Sequence, residues 1–170
     1  PNGTETAAEI IANAERMKLI EEIRGKAAQK IGLIDDWSKA ASEIPFAPFI
    51  SIVSAPKKHT TFNGRDIDEV DCDIISRLVF MQTMHKAHPV TGTIALGAAA
   101  RIPGTLVYDI LSLHAHQRER LKIGHPSGII FIDTAVVHDG NDYKLAKSVV
   151  NRTARLLLDG YFYLRSSIFK

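Results

Sequence analysis

The segment His85-Lys86-Ala87-His88-Pro89-Val90-Thr91-Gly92 gathers two imidazoles, an ammonium and a Thr-Gly pair directly ahead of an apolar run. If that run is a helix, its first amides lack intrahelical acceptors and stand at the positive end of the macrodipole, so a carboxylate or phosphate is stabilised there. Gly92 would let the ligand approach the backbone closely. His85, Lys86 and His88 would add positive charge at the rim. The plainer alternative is that Thr91 only caps the helix while His85 and Lys86 are solvated, and caps are commoner than anion sites.

A second candidate is Gly124-His125-Pro126-Ser127-Gly128. Two glycines and a proline around a serine set an unusual backbone path, and Ser127 with Gly128 could hold an oxyanion. The competing reading is a tight hairpin entry, since Gly, Pro and Ser commonly make turns. A hydrolase nucleophile elbow is rejected because the serine falls one place late and a strand, not a helix, follows.

Other chemistry-bearing residues lead nowhere by spacing. His85-x-x-His88 and His114-x-His116 bring no carboxylates with them, and a metal site needs three or four ligands, so no metal is expected. Cys72 lies between Asp71 and Asp73, whose charges raise rather than lower a thiol pKa. The acidic run Asp66 to Asp73 lacks the loop glycine and terminal glutamate of a calcium loop, and is read as a solvated face that caps a helix.

The elements that must position these groups follow from periodicity. Apolar residues spaced three and four apart from Ala7 to Ala27 predict one helix to about Lys30, closed by Gly32, with no capping-box glutamate three residues beyond Thr4. Glu43 to Pro48 is a linker, Phe49 to Ser54 a buried strand and Asn63-Gly64 a turn. Ile74 to His85 is expected to be a second helix, capped by Asp71 or Asp73. Thr91 to Ala100 is small and uncharged almost all the way round, which predicts a central helix buried on every side and stopped by Ile102-Pro103-Gly104. Thr105 to Leu113, Gly128 to Val137 and Tyr143 to Val150 read as strands, the last two joined by the turn 138–141, and Leu156 to Leu164 is a final apolar run. The sum is an α+β domain in which an antiparallel sheet wraps a central apolar helix.

Composition narrows the function class. The 170 residues are 45% hydrophobic with 21 basic against 19 acidic side chains, enough for one sizeable core and too little net charge (+2) to attract a polyanion. Nucleic acid is not an expected partner. One cysteine excludes a disulfide framework, and no apolar stretch approaches the length of a membrane span. A soluble, cytoplasmic protein is expected, with no membrane partner. The chain begins with Pro1 rather than Met, which suggests a piece of a longer protein.

The ordered set Pro1-Asn2-Gly3-Thr4-Glu5, Gly25-Lys26-Ala27-Ala28, Met84 to Gly92, Ile102-Pro103-Gly104-Thr105, Ile123 to Gly128 and Ser148 to Gly160 with Arg152-Thr153-Ala154-Arg155 resembles the second half of the PrpF family. That family contains 2-methylaconitate cis-trans isomerases, methylitaconate and aconitate Δ-isomerases and oxalomesaconate tautomerases. The resemblance runs over essentially the whole chain. It implies a fold like diaminopimelate epimerase, with two similar domains, each a sheet around one helix, and substrate between the helix starts. Residues 1–170 would be the carboxy-terminal domain, with residues 1–45 as helical lead-in and linker. The amino-terminal domain of the same protein, absent from this chain, would be its partner and carry the catalytic Lys and Cys, so the isolated piece would be inactive.

The implied reaction is proton transfer without cofactor or metal on a small unsaturated di- or tricarboxylic acid. Thr91, Gly92, His85, Lys86, His88, Ser127 and Gly128 would bind its carboxylates. The family's related epimerases place a second thiol at the start of this helix, where the present chain has none. Two alternatives stand beside the isomerase: a keto-enol tautomerase and a non-catalytic carboxylate-binding module. A homodimer is a further expectation.

Overall fold

The computed structural model describes residues 3–140, 142–152 and 154–169. The predicted first helix is two. Helix α1 (Ala7–Ala12) is capped by Thr6, whose side chain and that of Glu9 form a reciprocal capping box, and α2 (Ala14–Lys30) starts afresh from the Asn13 cap. The box was missed because Thr4 was read as the cap; one step later in register, Thr6-x-x-Glu9 supplies the signature. A turn of helix, α3 (Ala40–Glu43), leads into β1 (Ile50–Ser54). The short strands β2 (His59–Thr60) and β3 (Asp66–Ile67) pair across the Asn63-Gly64 turn.

The largest correction concerns Ile74 to His85, which is not a helix. It forms β4 (Ile74–Phe80) and β5 (Thr83–Met84), joined by Met81 and Gln82, both with positive φ. Strand β4 is buried along its first six residues. Ile74, with the Ser76 and Leu78 side chains, faces the central helix, while Ile75 packs with Ile67 and Cys72 and Val79 with Ile10 and Ile20. A strand covered on both faces loses its alternation and is left with an apolar run that helical spacing also fits. Asp73 caps nothing here. Its carboxylate accepts the Lys122 amide at 2.8 Å and pairs with Arg118, which clips β4 to its parallel neighbour.

Helix α4 (Val90–Ala99) is the predicted central helix. The predicted strand over Thr105 to Leu113 is instead two short helices, α5 (Leu106–Ile110) capped by Thr105 and α6 (Leu113–His116) capped by Ser112. Those two hydroxyls, each accepting an amide three residues on, turn a β-rich stretch helical. His114 and His116 therefore lie on a helix, not a strand. Strands β6 (Arg120–His125), β7 (Gly128–Asp139) and β8 (Asp142–Val150) complete the order β1-β4-β6-β7-β8, with β5 on β4. The sheet is mixed rather than antiparallel: β4 runs parallel to β6, in register Ile74 with Ile123. Of the predicted turn 138–141, Asn141 lies outside the described residues, as does Thr153 of the 152–155 segment.

The main core joins Leu96 of α4 and its C-cap residue Ala100 to Ile74, Leu121, Ile123 and Ile132 of the sheet. A Cβ on Gly97 would stand 2.5 Å from Thr134 Oγ1 and 2.8 Å from Ile132 Cδ1, so the bare glycine sets how closely α4 lies on β7. The helix is not covered all round, however. Thr91 and Ala95 are exposed, on a stripe that opens beside Phe49. Residues 154–165 form no regular element, and Leu156–Leu158 and Tyr161–Tyr163 are exposed.

Candidate functional site

Two clefts flank the start of α4. One, of about 340 Å³, is lined by Thr91, Gly92, Ala95 and Ala99 with Phe49 and Leu78, and contains no ionisable group. The other, of about 630 Å³, is lined by His85, His88, His125, Val90, Ile130 and Arg152 among others, with no carboxylate on its walls. Between them Pro89, the N-cap residue, provides no side-chain cap, so the first turn of α4 keeps its amides.

The three imidazoles play different parts, and hydrogen bonding fixes which. The Thr93 hydroxyl donates to the Pro89 carbonyl at 2.9 Å, and His88 Nδ1 lies 2.8 Å from Thr93 Oγ1. With the Thr93 proton committed, His88 Nδ1 donates to Thr93, and Nε2 accepts from the Ser76 hydroxyl at 3.0 Å. His88 is 6% exposed, and burial pulls its pKa down to about 4. It is a neutral tie between β4 and α4, not the rim cation that the sequence suggested.

His85 and His125 share the opposite arrangement. The Ala87 amide donates to His85 Nδ1 at 3.0 Å, and the Ser127 amide to His125 Nδ1 at 3.2 Å. Each neutral ring therefore carries its proton on Nε2. His125 is 8% exposed, with a pKa lowered to about 4 by burial first and then by His88, Arg77, His59 and His85.

Other expected site residues are used differently. Lys86 is exposed and lines a separate cavity with Arg77 and Met84. The Ser127 hydroxyl donates to the Lys86 carbonyl, binding the β6–β7 turn to the loop before α4, so its proton is not free for a ligand. Gly128 has φ +143°, a conformation that shapes this turn and disfavours other residues. Gly92 is small because a Cβ there would stand 2.4 Å from Leu78 Cδ1, which is a packing demand. Its amide and that of Thr91 remain in the uncapped turn. Cys72 is buried, with its thiol pushed up to about 11, by burial more than by Asp73 and Asp71. Among the described residues no three His, Cys, Asp or Glu side chains converge as a metal ligand set would.

Sequence reasoning missed His125, Ser76 and Thr93. His125 lies within the 124–128 segment, whose turn-forming residues direct a sequence reading to Ser127 instead. Ser76 was assigned to a helix, which hid its place beside His88.

The uncapped start of α4 thus stands beside a cleft lined by three imidazoles, Asn151 and Arg152, in an α+β domain. The chain belongs to the PrpF family: the family model described as PrpF protein matches residues 1–165. It is 39% identical over 97% of its length to a 3-methylitaconate isomerase of Eubacterium barkeri, covering 42% of that protein. It is 32% identical over 94% of its length to a 2-methyl-aconitate isomerase of Shewanella oneidensis, covering 39% of it. A crystal structure of methylitaconate-delta-isomerase superposes with a TM-score of 0.81 at 36% identity, covering 97% of this chain and 42% of that one. The chain thus spans about two fifths of the length of the relatives it matches.

Proposed function

We propose that the protein carrying this chain isomerises a small unsaturated di- or tricarboxylic acid of the aconitate, 2-methylaconitate or methylitaconate type, and that this chain supplies carboxylate binding. The observation that carries the reading is the cleft of three imidazoles and Arg152, with no Asp or Glu among its described lining residues, at the uncapped start of α4 in a chain of this family. In this reading the chain is the carboxy-terminal one of two similar domains in a diaminopimelate-epimerase-like architecture. The proton-transferring Lys and Cys then belong to the other domain, and the two helix starts face one substrate.

The physical requirement is simple. Removing an allylic proton from a polyanion adds negative charge to it, and preset N–H donors lower that cost because they need no reorganisation when the charge develops. The amides of Thr91 and Gly92 and the imidazole of His85 suit this task. The apolar wall at Ile130 suits the hydrocarbon part of such an acid. Cys72, buried and far from a thiolate at neutral pH, is not a proton donor or base in this scheme.

The test is proton NMR of the protein carrying this chain with 2-methylaconitate, methylitaconate or cis-aconitate in deuterated water. Isomer formation with deuterium at the allylic carbon is expected. No exchange with any of the three acids contradicts the reading, and exchange confined to a keto acid makes the protein a tautomerase.

A further inference from the structure

Three features of the cleft beside α4 converge on one residue that no motif reading singled out. His125 is more than nine-tenths buried, yet its ring lines the cleft. Its Nδ1 accepts the Ser127 amide, which leaves the ring proton of the neutral form on Nε2. His85 repeats the pattern on the adjoining loop, with Nδ1 occupied by the Ala87 amide and Nε2 carrying the proton. Two ring N–H donors line one cleft that has no carboxylate among its described lining residues, and a ligand carrying acceptors would satisfy both.

We infer that His125 Nε2–H, together with His85 Nε2–H in the wall of the same cleft, grips one carboxylate of the substrate, and that His125 is a specificity-determining residue of this site. The inference rests on the reading above and names the group that recognises the acid. Neutral imidazoles suit the task because the backbone fixes both rings through Nδ1, so little side-chain freedom is lost on binding. The surroundings keep His125 uncharged: His88 and His85 line the same cleft, His59 and Arg77 lie close enough to oppose a further positive charge, and Arg152 stands at the rim. A carboxylate is favoured over phosphate because the donors are few and the adjoining wall is apolar at Ile129, Ile130 and Phe131, which fits a short hydrocarbon acid.

The test is calorimetric binding of tricarballylate, a saturated tricarboxylate that cannot be isomerised, to the protein carrying this chain. His125→Leu should weaken binding roughly 10- to 100-fold, the loss of one hydrogen bond to a charged group. His125→Gln, whose amide nitrogen reaches the place of Nε2, should recover affinity to within about fivefold. His125→Asn, which is one methylene shorter, should not. His85→Leu, at a half-buried position that folding tolerates, should also weaken binding, and circular dichroism checks that each variant is folded. The inference is overturned if folded His125→Leu binds within twofold of the unmodified protein, if Asn and Gln rescue equally, or if inorganic phosphate binds as tightly as tricarballylate. Because tricarballylate is inert, tight histidine-dependent binding by a protein that isomerises nothing would sink the proposed reaction and leave this subsite standing.

Discussion

The two sides of the start of α4 share one helix, one dipole and one set of unpaired amides, yet only one side is lined by imidazoles and a guanidinium. On the Phe49 side the walls are Leu78, Ala95 and Ala99, and no side chain there carries charge. On the other side three imidazoles and Arg152 surround the same turn. The dipole alone, worth about 0.3–1 kcal/mol, does not distinguish the two. What differs is how the rings are held: Ser76 and Thr93 fix His88, while backbone amides hold Nδ1 of His85 and of His125 in the cleft wall. A helix start becomes a site through the side chains that flank it.

Acid should break the asymmetry most strongly. His88 and His125 have folded pKa values near 4, against about 6.5 for an unperturbed histidine, so between those values the unfolded chain binds more protons than the folded one. Stability that is complete above about pH 6.5 should be lost as the pH falls toward 4, by up to roughly 3 kcal/mol per histidine. Urea unfolding across that range measures it. A flat profile would mean that the imidazoles are not held neutral.

The next effect is His88→Ala, which strands Ser76 and Thr93 in the core and should cost about 2–4 kcal/mol by urea midpoint while weakening acid binding. Gly92→Ala forces Leu78 aside and should cost about 1–2 kcal/mol, since the obstructing atom is the end of a flexible side chain. Thr91→Val, on the apolar side, should change stability and tricarballylate affinity by no more than about 0.5 kcal/mol. A loss there as large as that at His88 would erase the distinction between the two sides.

The central helix was legible in the sequence because Thr91 to Ala100 has a composition that few other elements tolerate. Its open face was not, because the exposed stripe of Thr91 and Ala95 is as small and uncharged as the buried one. Strand β4 was misread since burial on both faces removes the alternation that marks a strand, and α5 since one capping hydroxyl outweighs the β preference of Leu-Val-Tyr. The site was half legible. His85 and the start of α4 stood next to each other in the chain, whereas His125 reaches them only through strand pairing, and the tautomer that makes it a donor depends on the backbone of Ser127. No spacing rule encodes that.

The most direct measurement is nitrogen-15 NMR of the histidine rings in the protein carrying this chain, recorded at pH 7 with and without tricarballylate. The account requires His88 protonated on Nδ1 and His85 and His125 protonated on Nε2, with the Nε2 proton of His125 moving downfield as the acid binds. A proton on Nδ1 of His125, or a bound acid that shifts Phe49 and Ala95 and leaves the histidines unmoved, would contradict it.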